Sequence, residues 1–215
     1  YHKNCLDDGS PNPKFKPRNP NWKRQGKSKG GTHRPSLLTT KFIAIDGEGG
    51  DVDGIHQYQL LAASDGSQIY KYTGLSSKSC LDYLWKLKCR NPKATFVIFA
   101  GGYDGNMWIR GTSKALCQAI KDSEGQSYVR VGNYDIAFIQ RKYFTLRHKD
   151  ASEKEKAAII WDVHGFFQGG FIAVCKQWIP DFPDMQLIID GKKARTNFQG
   201  SDFDFMVAYN AAENR

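Results

Sequence analysis

Asp46 and Glu48 form the triplet D-G-E directly after the apolar run FIAI, so two carboxylates stand two positions apart with Gly47 between them and Gly49 after Glu48. Side chains of a strand alternate between its faces, which places both acids on the same face. Two like charges at that spacing repel, and a divalent cation is the usual reason to keep both ionised. Asp104 follows a second apolar run, TFVIFA, through Gly101, Gly102 and Tyr103. Tyr209 and Glu213, four residues apart near the end of the chain, share one face of a helix. Each feature alone also has a plainer reading: an acidic turn for D-x-E, a helix N-cap for Asp104. Carboxylate oxygens suit hard cations such as Mg²⁺ or Mn²⁺, and the sequence has no His/Cys cluster that would favour zinc. His2 and Cys5 begin a zinc pattern that nothing completes.

The elements that must position these acids are legible from residue 41 onward. KFIAID (41–46) reads as a buried strand ending at Gly47, and strand-like stretches follow at 55–63 and 67–73 around an Asp65-Gly66 turn. Ser76 or Ser77 caps a helix carrying Leu81, Leu84, Trp85 and Lys88. TFVIFA (95–100) is a second apolar strand, and a single helix is expected over about 104–121. Strands are expected near 127–131, 134–140, 143–148 and 157–162, with the charged turn KDASEKEK before the last. Phe167, Phe171, Val174 and Trp178 recur at i, i+4, i+7 and i+11, which predicts one helix with a core-facing stripe, ended by Pro180. A final helix is expected from Ser201, with Asp204 completing a capping box. The order of elements indicates an α/β domain in which helices pack on a mixed sheet.

FIAIDGE (42–48), FAGGYDGNMW (99–108) and YNAAE (209–213) resemble the three exonuclease motifs of family B DNA polymerases, most closely those of the protein-primed branch of phages, linear plasmids and viruses. WDVHGFFQGGFIAVCKQW (161–178) is similar to the aspartate-then-helix segment between the second and third motifs. The resemblance covers about residues 40–215 and implies an RNase H-like fold, a 3′–5′ exonuclease of the DEDD type with tyrosine, and two Mg²⁺ or Mn²⁺ ions. By motif position Asp46, Glu48, Asp104 and Glu213 would be metal ligands, and Tyr209 would orient or help deprotonate the attacking water. Asp46 would bridge both ions, with Glu48 and Glu213 completing one site and Asp104 supporting the other. The implied substrate is single-stranded DNA or a primer 3′ end, and the implied partner is a polymerase domain in the same chain or another. Lys192 or Lys193, with Arg195 nearby, would be the phosphate contact that precedes the third motif; a solvated basic loop is the plainer reading. Tyr103 and Phe198 could stack on terminal bases or be buried. The chain differs from the family pattern in three places: Glu213 replaces the usual Asp, Ala100 the usual Asn, and Gly169-Gly170-Phe171 stands where a Ser/Thr-Leu pair is usual.

Charge divides the chain. Residues 1–36 hold nine of the 31 Lys/Arg and two of the 22 Asp/Glu, a balance of +7, and five of the eight prolines. The rest holds 22 positive against 20 negative. We therefore expect a basic arm over 1–39, either lying along nucleic acid or solvated, before an exonuclease domain over 40–215 that is a fragment of a longer polymerase or a stand-alone relative. A mean hydropathy of -0.57 and no apolar run near 18 residues exclude a membrane span, and the polar, basic start does not read as a signal peptide. Five cysteines without a C-x-x-C pair point to mostly buried thiols in a reducing compartment. Walker A, dinucleotide and Ser/Cys nucleophile patterns are absent. Two other functions fit the same residues: an RNA- or DNA-trimming exonuclease without a polymerase, and a catalytically decayed module that only binds nucleic acid.

Overall fold

The computed structural model describes residues 40–152, 156–195, 198 and 202–215. The basic arm, His2, Cys5 and Ser201 lie outside them.

β1 (Phe42–Val52) does not stop at Gly47 as expected: it continues through the glycine-rich D-G-E-G-G segment because β2 (Ile55–Ala63) pairs with it along that length. Asp46 and Glu48 therefore lie in mid-strand, opposite Ala62 and Leu60. β3 (Gln68–Tyr70) is shorter than the expected 67–73 and closes a hairpin at Asp65-Gly66, where Gly66 takes φ 85°. β4 (Thr95–Ile98) runs parallel to β1, and β8 (Ala158–Asp162) runs parallel to β4. Between β4 and β8 the chain makes the antiparallel meander β5 (Val129–Val131), β6 (Tyr134–Ile139) and β7 (Tyr143–His148). The result is one mixed sheet in the order β3-β2-β1-β4-β8-β7-β6-β5. Parallel strands need crossovers, so the carboxyl ends of β1, β4 and β8 lie at one edge, where the loops that carry function collect.

Helices cover both faces. α1 (Ser77–Arg90) starts where Ser76 Oγ accepts the Ser79 N–H at 3.1 Å, and it buries Cys80, Leu81, Leu84 and Leu87. The single helix expected over 104–121 is two: α2 (Gly102–Ile109) and α3 (Lys114–Asp122). Gly111 and Thr112 interrupt it, and Ser113 caps the second helix through the Leu116 N–H. These helices bury Ile43, Ile45, Leu61, Phe96, Trp108 and Ile160 in the main core. On the other face, α6 (Met185–Ala194) and α7 (Phe203–Glu213) pack Ile188, Met206, Tyr209 and Ala212 over Leu60. α6 stands where no helix is expected. α7 begins after Asp202, which makes no side-chain cap; Ser201, from which a capping box is expected, lies outside the described residues.

The stripe Phe167-Phe171-Val174-Trp178 also proves discontinuous. Gln168 adopts a left-handed φ of 54°, and with Gly169-Gly170 it divides α4 (His164–Phe167) from α5 (Phe171–Trp178). Val174 is buried, but Trp178 is 64% exposed, so the stripe is only partly core. Cysteines follow the same correction: Cys80 and Cys175 are buried, Cys117 is half-buried and Cys89 is exposed, none of them in a disulfide. No helix among the described residues is long and apolar enough to cross a membrane.

Candidate functional site

Asp46 and Glu48 point to the face of β1 that α7 covers, and α7 brings Glu213 to them. One carboxylate oxygen from each of Asp46, Glu48 and Glu213 lies within 4.8 Å of the other two. Asn210, one turn before Glu213 on the same helix, donates its amide N–H to Asp46 Oδ2 at 2.9 Å, which fixes that carboxylate. Asn214 Nδ2 in turn donates to Asn210 Oδ1 at 3.0 Å.

Asp104 reaches the site from the opposite layer, and a β-bulge arranges its partner. Between Glu48 and Gly49 the register shifts: Glu48 faces Leu60 while Gly49 faces Tyr58, leaving Gln59 as an extra residue. In a regular strand Tyr58 and Leu60 would share a face; beyond a bulge the side chains are re-aimed. Tyr58 is thus turned into the main core, where its hydroxyl accepts the Trp108 Nε1–H at 3.1 Å and donates to Asp104 Oδ1 at 2.8 Å. Gly47 is obligatory beside it, because a Cβ there would sit 1.8 Å from the Tyr58 hydroxyl. Asp104 stands outside the 4.8 Å group of three, but its charge is felt by both Asp46 and Glu48.

Burial dominates the electrostatics. Glu48 is 6% exposed, and desolvation, followed by the charges of Glu213 and Asp104, raises its carboxyl to about 8. Asp46 is raised as well, first by burial and next by Glu48. Asp104 is pushed up to about 7 by burial, against the opposing hydrogen bond from Tyr58. Tyr209, fully buried, hydrogen bonds Glu213, and its hydroxyl is raised by desolvation and by the neighbouring acids. Such a set of carboxylate oxygens repelling one another fits hard divalent cations, and an orphaned oxygen lies close by. Asp162 Oδ1 accepts the Ala100 and His164 backbone N–H groups at 3.1 and 3.0 Å, whereas its buried Oδ2 has no hydrogen-bond partner, and the charge of Asp162 reaches Asp104.

The basic candidates separate. Lys192 lies on α6, not in an exposed loop; its ammonium is paired with Glu213 Oε1 and is 3.3 Å from the Tyr209 hydroxyl. Gly191 makes that packing feasible, since a Cβ there would meet the Tyr209 ring at 2.1 Å. Lys193 and Arg195 are exposed, and the Arg195 charge acts on Glu48. Tyr103 is 40% exposed, its hydroxyl 2.6 Å from His56 Nε2 and its ring edge-on to Tyr58, so it stands at the lip of the site. Phe198 takes the buried alternative: it is 1% exposed, between Phe205 and Tyr209, and offers no face to a base.

Sequence reasoning missed Asn210, Tyr58 and the inward turn of Lys192. Asn210 sits inside the third motif and Asp162 ends an apolar strand, but Tyr58 carries no local signal because a bulge decides where it points. Comparison with protein-family models, with curated proteins and with solved structures finds no match to this chain.

Proposed function

We propose that residues 40–215 are an RNase H-like, metal-dependent 3′–5′ exonuclease, the proofreading module of a family B DNA polymerase, acting on single-stranded DNA. The reading is carried by one observation: acids more than 160 residues apart, Asp46 and Glu213, both half-buried, meet in one cluster with the buried Glu48, with Asp104 close by. The mixed sheet, with β1, β4 and β8 parallel and the acids of β1 under α7, supports the fold assignment.

Asp46, Glu48 and Glu213 would hold one ion, and Asp104, sharing Asp46, would support the second. When bound, such a pair activates a water and stabilises the leaving 3′ oxygen of an in-line displacement. The chain's own groups set the geometry. Asn210 holds the Asp46 carboxylate in one orientation, and Tyr58 does the same for Asp104. Tyr209, whose raised hydroxyl stays protonated, donates to Glu213, and the resemblance gives it the attacking water to orient without titrating. Lys192 balances the charge of Glu213.

Time courses on 3′- and 5′-labelled single strands, with Mg²⁺, Mn²⁺ or chelator, test this. Stepwise loss from the 3′ end, dependent on metal, is expected. In the Asp46→Ala/Glu48→Ala chain the rate should fall by more than about 10²-fold, the upper range for losing a metal's outer-shell partner alone. Hydrolysis that survives in that variant overturns the assignment. Matched RNA strands in the same assay decide the polymer.

A further inference from the structure

The turn that leads from β4 into α2 decides where Asp104 stands. Ile98 ends β4, α2 opens at Gly102, and Asp104 lies in its first turn. Ala100, between them, takes φ 58°, a left-handed conformation that a residue with a Cβ keeps only when its surroundings impose it. Glycine takes that conformation unaided; alanine does not. Gly101 narrows the turn further, because a Cβ there would come within 2.6 Å of Ile98 Cγ2. The helix end gives no help, since Gly101 is the N-cap of α2 and has no side chain to offer its free N–H groups.

The constraint comes from β8, more than sixty residues away in the chain. Asp162 stands beside Ile98 across the parallel strands, and its Oδ1 accepts the Ala100 N–H at 3.1 Å. A carboxylate accepts such a bond about twice as strongly as a neutral group does. Next to it the Val163 N–H donates to Ile98 O at 2.9 Å, so the ends of β4 and β8 are tied at two points. We propose that Asp162 is a positioning residue: it holds Ala100 in the left-handed turn and thereby sets Asp104 for the ion that Asp104 supports. Tyr58 fixes the Asp104 carboxylate from the core side, and Asp162 fixes the backbone that carries it. The ion in this proposal rests on the exonuclease reading; the hold on the turn does not.

Hydrogen exchange over residues 99–104 and calorimetric titration with Mn²⁺, both on the full chain, test it. Asp162→Ala should speed exchange of the Ala100 amide about tenfold or more, the loss of a hydrogen bond to a charged group. It should also weaken one of two Mn²⁺ ions by about 10–100-fold, as losing the partner of a metal ligand does, and spare the ion held by Asp46, Glu48 and Glu213. Adding Ala100→Gly to that variant should restore the weakened ion, although the amide still exchanges fast. Asp162→Asn keeps an acceptor oxygen and should match wild type in both measurements. Unchanged exchange in Asp162→Ala overturns the proposal. So does a double variant no better than Asp162→Ala, which would make the bond from the His164 N–H to Asp162 the one that matters. Loss of an ion in Asp162→Asn assigns the carboxylate to the metal itself and overturns it as well. Should Asp162→Ala fail to fold, Asp162→Asn decides alone: two ions kept support the proposal, and one lost overturns it. A wild type that takes up no Mn²⁺ sinks the exonuclease reading by itself, and the exchange rates still decide whether Asp162 holds the turn.

Discussion

At the scale of the residue, the site stores repulsion. Glu48 at about 8 and Asp104 at about 7 hold protons in the folded chain at pH values where the unfolded chain, with ordinary values of 4.5 and 3.8, has lost them. Burial is the largest cause for both. The folded state thus binds more protons than the unfolded state between about pH 4 and 8, so the stability of the metal-free protein falls as pH rises through that window and levels off above it. Metal reverses the trend, because ligands must be deprotonated to bind. Melting curves in EDTA should shift downward from pH 5 to pH 8, and the rise in Tm on adding Mn²⁺ should be larger at pH 8 than at pH 6. In EDTA at pH 8, Asp46→Ala/Glu48→Ala should melt higher than wild type, by about 2–4 °C for each kcal/mol of relieved repulsion. A variant that melts lower there would mean the acids contribute to the fold and do not strain it.

At the scale of the element, two glycines and a bulge decide what the acids can do. Alternation along a strand was enough to place Asp46 and Glu48 on one face, and helical spacing was enough to join Tyr209 to Glu213; both are local periodicities. What periodicity cannot carry is the two-versus-one count at Gln59 that turns Tyr58 toward Asp104, or the helix α6 that brings Lys192 inward, because each depends on a partner distant in the chain. Gln168 and Gly111 broke two expected helices for a local reason: a run of helical spacing continues past a residue that the backbone uses to turn. Gly191 lies within that illegible part, and it permits α6 to press on the Tyr209 ring. Gly191→Ala should push the ring away. Overpacking of this kind costs about 1–3 kcal/mol, and because Tyr209 is tied to Glu213 and Lys192, turnover should fall while oligonucleotide affinity stays near wild type. Denaturant melts paired with single-turnover rates check this; equal turnover in the variant would show that Tyr209 has no part in the chemistry.

At the scale of the whole molecule, the charge is split between a basic stretch at +7 and a domain whose 22 positive and 20 negative groups almost cancel. A nearly neutral domain that presents a cluster of acids to its substrate gains little long-range attraction for a polyanion, so residues 1–36 are expected to supply most of the encounter energy. That contribution would be the same before and during reaction, which places it in binding and not in turnover. Deleting residues 1–36 should raise KM and leave kcat near wild type, since the described domain has its own core and its own acids. The salt dependence separates this from damage to the site. For a single strand, log affinity falls with log salt by about 0.7 for each phosphate contacted, so the slope should flatten by about that amount for every phosphate the arm met. A lower kcat with an unchanged slope would mean the opposite: that the arm reaches into the chemistry and adds nothing to capture.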